Sequence, residues 1–336
     1  MTYLRQVRRL RSLAVAALKL YPVRVAKMKF INHGENTTFQ ITAVSGKQFL
    51  LRICRNDYHS AEALNEEIEW LQRLLQGQNA FHKKVHLKLQ TPNPVLSRHG
   101  CALETVTTDD IPEGRKVVLF RWIDGQFLRG SVSEEKFRTL GNLIAGLHEQ
   151  TKGCKVRHRR YWDAEGLLGK QAKFGSIDSL SLATSSQQLR ITKARRSLLK
   201  TLKKYEKKYP ERMGLIHADL HFGNFLFNSQ GLGVIDFDDC GFGFLAYDLA
   251  IPLIAFERHA GMGIMQKRKI KAALVAGYRE LAPWDQADDA VLEALIMARR
   301  LLMLGWLNSR SDNPRLAAFL KKAIPRVLKA VKNDSL

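Results

Sequence analysis

The stretch LIHADLHFGNFLFNSQGLGVIDFDD, residues 215–239, decides how this chain is read. Apolar Leu215-Ile216 leads into His217, Asp219 and Asn224, spaced HxDxxxxN, and Asp236 follows directly behind the apolar pair Val234-Ile235. The apolar run after Asn224, the turn-forming Asn228-Ser229-Gln230-Gly231 and the apolar return predict a short β-hairpin. That hairpin brings Asn224 and Asp236 to the same end. Taken singly, Asp219 and Asn224 suit a turn; their joint spacing with His217, His221 and Asp236 favours a site. His217 and His221 stand at i and i+4, which on a helix would suit zinc. Gly223 and the flanking strand pattern argue against a helix there.

Phosphoryl transfer needs this set of residues. One carboxylate must orient an attacking hydroxyl and take its proton, and oxygen ligands must hold Mg²⁺ against phosphates. An amide paired with a carboxylate suits an ion that already faces a polyanion. The Asp219-to-Asn224 spacing matches the catalytic loop of kinases, in which the Asp leads and the Asn takes a metal. In that template the Asp does the work, so His217 is read as structural, while His221 stays open between a structural and a phosphate-facing role. Asp238 and Asp239 are read as orienting the loop or facing solvent rather than as further metal ligands.

Outward from the motif, the chain divides in character. Residues 25–54 read as three strands with turns at Gly34–Asn36 and Ser45-Gly46, and residues 60–76 as a helix with Ser60 as N-cap. CALETVTT and KVVLFRWI add two strands. Five antiparallel strands and one long helix make an α+β lobe over residues 1–124, preceded by an amphipathic N-terminal helix carrying Leu10, Leu13, Val15, Ala17, Leu18 and Leu20. From 125 to 336 helical patterns dominate: 134–151, 187–209, 264–281, 288–308 and 314–332. Residues 151–186 have no clear period and read equally as a surface loop or a substrate-contacting element.

These pieces, GENTTF (34–39), FLLRI (49–53), EIEWL (67–71), VLFRWIDG (118–125), LGNLIAGLH (140–148), HADLHFGN (217–224), VIDFDD (234–239) and YDLA (247–250), resemble the aminoglycoside phosphotransferase and choline kinase-like family, which includes homoserine kinase type II and bacterial stress-response kinases. The resemblance implies a two-lobed protein-kinase-like fold with ATP in the cleft. Asp219 then resembles the catalytic base, and Asn224 and Asp236 the Mg²⁺ ligands. Arg52 stands where many kinases have a phosphate-contacting Lys, with Glu67 as its ion-pair partner. Gly34 and Asn36 belong to a short glycine loop; Phe120, Arg121, Trp122 and Ile123 correspond to the hinge that meets adenine. Asp248 resembles the buried acid that supports the catalytic loop. Arg at 52 keeps its charge and can fork onto phosphate or Glu67. Ala218 and Phe222 replace the Gly and Pro often found there, and Phe222 is expected to shape the substrate mouth.

Composition sets the limits. The chain has 336 residues, 45% hydrophobic and 26% charged, which excludes a disordered, collagenous or simple coiled-coil chain. No apolar run reaches the ~18 residues of a membrane span. Four scattered cysteines without a CxxC pair fit a reducing cytoplasm. Net charge is +22, which points to an anionic partner or substrate and argues against a polycationic acceptor. Residues 189–212 carry ten Lys or Arg against two Glu. Ala194, Leu198, Leu202 and Tyr205 fall on one stripe there, so a surface helix is favoured over a polyanion-binding face. Arg299 and Arg300 read as rim charges before substrate anchors. Three functions compete: an ATP- and Mg²⁺-dependent kinase of a small hydroxyl-bearing metabolite, a Ser/Thr protein kinase, and a non-catalytic polyanion-binding module.

Overall fold

The computed structural model describes residues 3–85, 88–127, 133–170, 172–175, 177–229, 231–257 and 263–333. Gln230 of the expected hairpin turn lies outside them. The chain folds as two compact units: Met1–Phe127 with Arg157–Arg159 and Phe225–Asp238, and Leu128–Val156 with Arg160–Asn224 and Asp239–Leu336. The first unit thus gathers the 225–238 hairpin, which the sequence alone assigns to the later part of the chain.

In chain order the first unit holds α1 (Tyr3–Leu18), β1 (Val25–His33), β2 (Thr37–Ala43), β3 (Gln48–Ile53), α2 (Ala61–Val85), β4 (Lys88–Gln90), β5 (Pro94–Val95), β6 (Leu103–Thr108), β7 (Ile111–Arg121) and β8 (Gln126–Phe127). The five strands expected from periodicity all form. A sixth, the two-residue β5, completes an antiparallel sheet of order β1-β2-β3-β7-β5, with β6 also on β7. Two residues are too few to show a period, which is why β5 escapes a pattern search. On β2 the alternating Phe39, Ile41 and Ala43 are buried. They pack in one core with Leu10, Leu13, Ala14, Ala17 and Leu18 of α1. Val15, expected on that stripe, is half exposed, because the buried face follows 10, 13, 14, 17 and 18. Each leucine so buried contributes roughly 1.5–3 kcal/mol.

The second unit holds α3 (Glu134–Gln150), β9 (Tyr161–Trp162), α4 (Ala164–Leu168), α5 (Ser185–Lys208) and β10 (Met213–Ile216). The chain then builds β11 (Phe225–Asn228) and β12 (Gly231–Val234) in the first unit, where they pair antiparallel and extend to β8 and β4 in a second sheet. It returns as β13 (Gly241–Phe244), α6 (Tyr247–Glu257), α7 (Ile264–Arg279), α8 (Gln286–Asn308) and α9 (Pro314–Asn333). Helix starts follow the side chains: Ser133 caps α3, Thr184 with Gln187 and Asp285 with Asp288 form capping boxes on α5 and α8. Helices α3 and α7 meet backbone to backbone. A Cβ at Gly141 would lie 2.0 Å from the Leu274 carbonyl, and one at Gly277 1.9 Å from that of Arg138. No described helix is long and apolar enough to cross a membrane.

Helix α5 buries Ala194, Leu198, Leu202 and Tyr205 as its stripe predicts, together with Arg195. Arg195 is not part of a solvated basic face: its Nε donates to Asp178 at 3.0 Å and its Nη1 to the Leu168 carbonyl at 2.8 Å.

Candidate active site

In the second unit, β10 delivers His217-Ala218-Asp219. What shapes this loop is Asp248, wholly buried in the first turn of α6. Its Oδ2 accepts from the His217 amide and its Oδ1 from the Ala218 amide, both at 2.8 Å. His148 Nε2 lies 3.2 Å from the same Oδ2, and His148 Nδ1 is 2.9 Å from the Tyr278 hydroxyl. Ala218 sits at φ 65°, in the left-handed region. That conformation costs an L-residue roughly 1–2 kcal/mol, and the two amide bonds to Asp248 hold it. This is the physical reason a glycine suits the position.

Asp219 is then fixed from several sides. Its amide donates to His217 Nδ1 at 3.3 Å, and its carbonyl accepts from Asn224 Nδ2 at 2.9 Å. His217 is therefore a structural residue of the loop. The Asp219 carboxylate accepts at Oδ1 from Arg299 Nη2 at 2.7 Å, while Oδ2 lies 3.5 Å from His221 Nε2. His221 Nδ1 accepts from the Gly223 amide at 2.9 Å, so in the neutral ring the proton is on Nε2 and faces Asp219. Burial pushes the Asp219 carboxyl up, but Arg299, with His221 and His217, outweighs it and holds it below the usual carboxylate range. Such a carboxylate is ionised at neutral pH.

Arg299, read from sequence as a rim charge, is buried. Its Nη1 donates to the Tyr247 hydroxyl at 3.2 Å, and the guanidinium lies 5.9 Å from that ring. Burial works against its charge, yet Tyr247 and Asp219 raise its pKa overall. Tyr247 stacks on Trp162 with centroids 5.9 Å apart. Trp162 Nε1 donates to the Asp239 carbonyl at 2.8 Å, and Lys173 pairs with the Asp239 carboxylate while its Nζ lies 5.1 Å from the Trp162 ring. Phe222 is buried against Phe137, edge to face at 6.1 Å. Arg300 pairs with Glu257.

In the first unit, β3 carries Arg52 and α2 carries Glu67. Arg52 Nη1 and Nη2 donate to Glu67 Oε1 and Oε2 at 2.7 and 2.9 Å, a closed fork above the Phe120 ring at 5.2 Å. Burial opposes the Arg52 charge, but Glu67 dominates and its pKa rises. Asp238 Oδ1 lies 3.6 Å from His59 Nε2 and 4.0 Å from Arg52 Nη1. Burial lifts this carboxyl, and His59 and Arg52 bring it down further than burial lifts it. Arg52 Nε, His59 Nε2 and Asp238 Oδ1 are buried with no hydrogen-bond partner among the described residues. Arg159 donates to the Phe237 and Asp238 carbonyls, Glu66 accepts from the amides of 157–159, and Phe237 meets Trp70 edge to face at 5.1 Å. These contacts tie α2 to the segment after Asp236, whose own φ is 66°.

The remaining expected positions differ in what they offer. The Gly34 amide donates to the Asn36 carbonyl at 2.9 Å, and Asn36 Oδ1 accepts from the Arg55 amide at 3.3 Å. A phosphate contact from the Gly34 amide would have to displace the first of these bonds. Phe120 and Arg121 are strand residues of β7. The Arg121 amide donates to Asn93 and that of Trp122 to Gln48. Ile123 is the first residue of the expected hinge whose amide enters no bond among the described residues. Asn224 spends its Nδ2 on Asp219, which leaves its Oδ1 as an acceptor. Asn224 Oδ1 in the second unit and the Asp236 carboxylate in the first are each a hard oxygen donor of the kind a divalent cation takes. No cluster of three His, Cys, Asp or Glu that would hold a metal by itself occurs among the described residues.

Comparison with known proteins gives the family. Residues 27–284 match the model of APH, the phosphotransferase enzyme family, and the chain belongs to that family. It is a phosphotransferase with a protein-kinase-like fold. Amicoumacin kinase of Bacillus subtilis (strain 168) is 24% identical over 317 residues, spanning 89% of this chain and 85% of that protein. Among solved structures, a microcompartment-associated aminopropanol kinase superposes with a TM-score of 0.81 at 29% identity over 96% of each chain. Amicoumacin kinase hAmiN, in complex with AMP-PNP, Ca²⁺ and Ami, superposes at 0.78 with 21% identity, covering 95% of this chain and 93% of that one, and shares the fold.

Proposed function

We propose that this chain moves the γ-phosphoryl group of ATP, with Mg²⁺, onto a hydroxyl of a small metabolite. The observation that carries the proposal is the Asp219 carboxylate, ionised and fixed by Arg299 on one oxygen, on a loop clamped by Asp248. An acceptor hydroxyl donates to the Oδ2 side, which aims its lone pair at phosphorus; as the new O–P bond forms and the bond to the leaving oxygen breaks, Asp219 takes the hydroxyl proton. Arg299 keeps the carboxylate ionised and oriented. In the first unit the Arg52 guanidinium offers its positive charge to phosphate. On the family resemblance Asn224 and Asp236 would hold Mg²⁺, which would supply positive charge to offset that of the phosphates.

A small acceptor is supported by relatives named for aminopropanol and amicoumacin. A net charge of +22 favours an acceptor that is neutral or anionic over a polycation. The test is a transfer screen with γ-labelled ATP and Mg²⁺ over hydroxy acids, amino alcohols, sugars, aminoglycosides and generic protein substrates. Label is expected on a small hydroxyl compound. Label on protein alone would favour the protein-kinase reading, and efficient transfer to an aminoglycoside would overturn the charge argument.

A further inference from the structure

A cavity of about 340 Å³ lies within the second unit, and His148 and Tyr278 form part of its wall. Both belong to the relay that ends on Asp248 and the loop amides of His217 and Ala218. The floor is apolar: Leu215 and Trp284 are buried there, with Tyr278 edge-on to Trp284 at 5.3 Å. Charges of both signs surround it. Lys152 and Lys155 are exposed and enter no ion pair among the described residues, and the same holds for Glu149 and Glu211. Arg212 gives Nη1 to the Pro283 carbonyl and Nη2 to Asp285, with Asp288 3.5 Å from Nη2, so its charge is already met by acids.

We propose that this cavity binds an apolar α-amino acid. Its carboxylate meets Lys152 and Lys155, its ammonium faces the two glutamates, and its side chain packs on Tyr278 and Trp284. Balanced free charges select a zwitterion over an anion or a cation, and the floor selects against a polar side chain. Occupancy reaches the catalytic loop because the ligand rests on Tyr278, whose hydroxyl meets His148, which in turn meets Asp248. The inference stands on these contacts alone and is independent of the reaction proposed above.

Calorimetric titration of the full chain with L-phenylalanine, 3-phenylpropionate and phenethylamine tests it. L-phenylalanine is expected to bind, and each single-charge analogue to bind about tenfold or more weakly. Hydrogen exchange gives a readout besides binding: L-phenylalanine slows exchange over residues 216–220. In Tyr278→Phe, which keeps the ring, the amino acid still binds and the slowing is lost. No binding of L-phenylalanine or L-leucine at about 10 mM, a Kd that would already mean under ~3 kcal/mol, overturns the site. Equal affinity for 3-phenylpropionate overturns the zwitterion. Slowing that persists in Tyr278→Phe overturns the relay.

Discussion

Two arginine–carboxylate pairs, the buried Arg52–Glu67 of the first unit and the part-buried Arg299–Asp219 of the second, differ in how many carboxylate oxygens they occupy. Arg52 and Glu67 close a fork in which both carboxylate oxygens are taken, at 2.7 and 2.9 Å. Arg299 takes only Oδ1 of Asp219, at 2.7 Å, and the other oxygen has a histidine at 3.5 Å. The first pair spends its carboxylate on the arginine and leaves the arginine's Nε over. The second leaves a carboxylate oxygen over. A spare N–H suits phosphate and a spare carboxylate oxygen suits a hydroxyl, so similar chemistry yields a donor in one unit and an acceptor in the other.

The sharpest way to break this contrast is to remove one partner of the closed fork. Glu67→Ala strands a buried guanidinium and is expected to destabilise the protein by roughly 3–5 kcal/mol. Arg52→Met with Glu67→Leu together should recover most of that stability in a denaturant titration while nucleotide affinity stays low. Equal instability of the double variant would show that the pair is not the reason.

Arg299→Met attacks the open pair. Turnover is expected to fall about 10²-fold, which is ~2.7 kcal/mol, with the Kd for a non-hydrolysable ATP analogue little changed. Arg299→Lys should recover part of the loss. A drop in nucleotide affinity equal to the drop in turnover would mean that Arg299 acts on something other than Asp219.

A smaller effect tests how α2 is tied down. Burial raises the Glu66 carboxyl, but the amides of 157–159 lower it more, so its folded pKa is depressed. Its contribution to stability is therefore complete above the unfolded value of about 4.3 and is lost as pH falls through the lower folded value. Glu66→Gln should cost ~1 kcal/mol at pH 7 and progressively less below about pH 4. A cost that does not shrink on acidification would contradict the assignment.

The weakest effect concerns the basic helix. Charge reversal at Lys203, Lys204, Lys207 and Lys208 should lower kcat/KM for an anionic acceptor less than about tenfold, and only at low salt. Lys203 already pairs with Glu165, so its share is the least.

Much of this contrast was legible in the sequence, and the illegible part has a common cause. Asp219, Asn224 and Asp236 announce themselves because their spacing is local to one loop and hairpin. Arg52 and Glu67 lie 15 residues apart on a strand and the next helix, within reach of pattern. Arg299 meets Asp219 across 80 positions, and no period links them. One signal was present: Arg299, whose neighbours at helical spacing, Leu295, Ile296, Leu302 and Met303, are all apolar, needs a buried partner. Arg159, Trp162 and Lys173 fall in the stretch 151–186, whose residues take their roles from long-range contacts and so show no pattern of their own. Gly34 shows the opposite case, a residue legible by motif whose amide the fold commits to Asn36.

The most direct measurement pairs two quantities on Asp219→Asn: Mg²⁺-dependent transfer of labelled phosphate from ATP to the acceptor, and the Kd for a non-hydrolysable ATP analogue. In the proposed reaction the carboxylate would serve the acceptor while metal and phosphates would be held elsewhere, so transfer should fall by about 10³-fold or more, within the span of a lost general base, and the Kd should stay within about twofold, under ~0.5 kcal/mol. Near-wild-type transfer in Asp219→Asn, or no nucleotide binding by the wild-type chain at millimolar concentration, would contradict it.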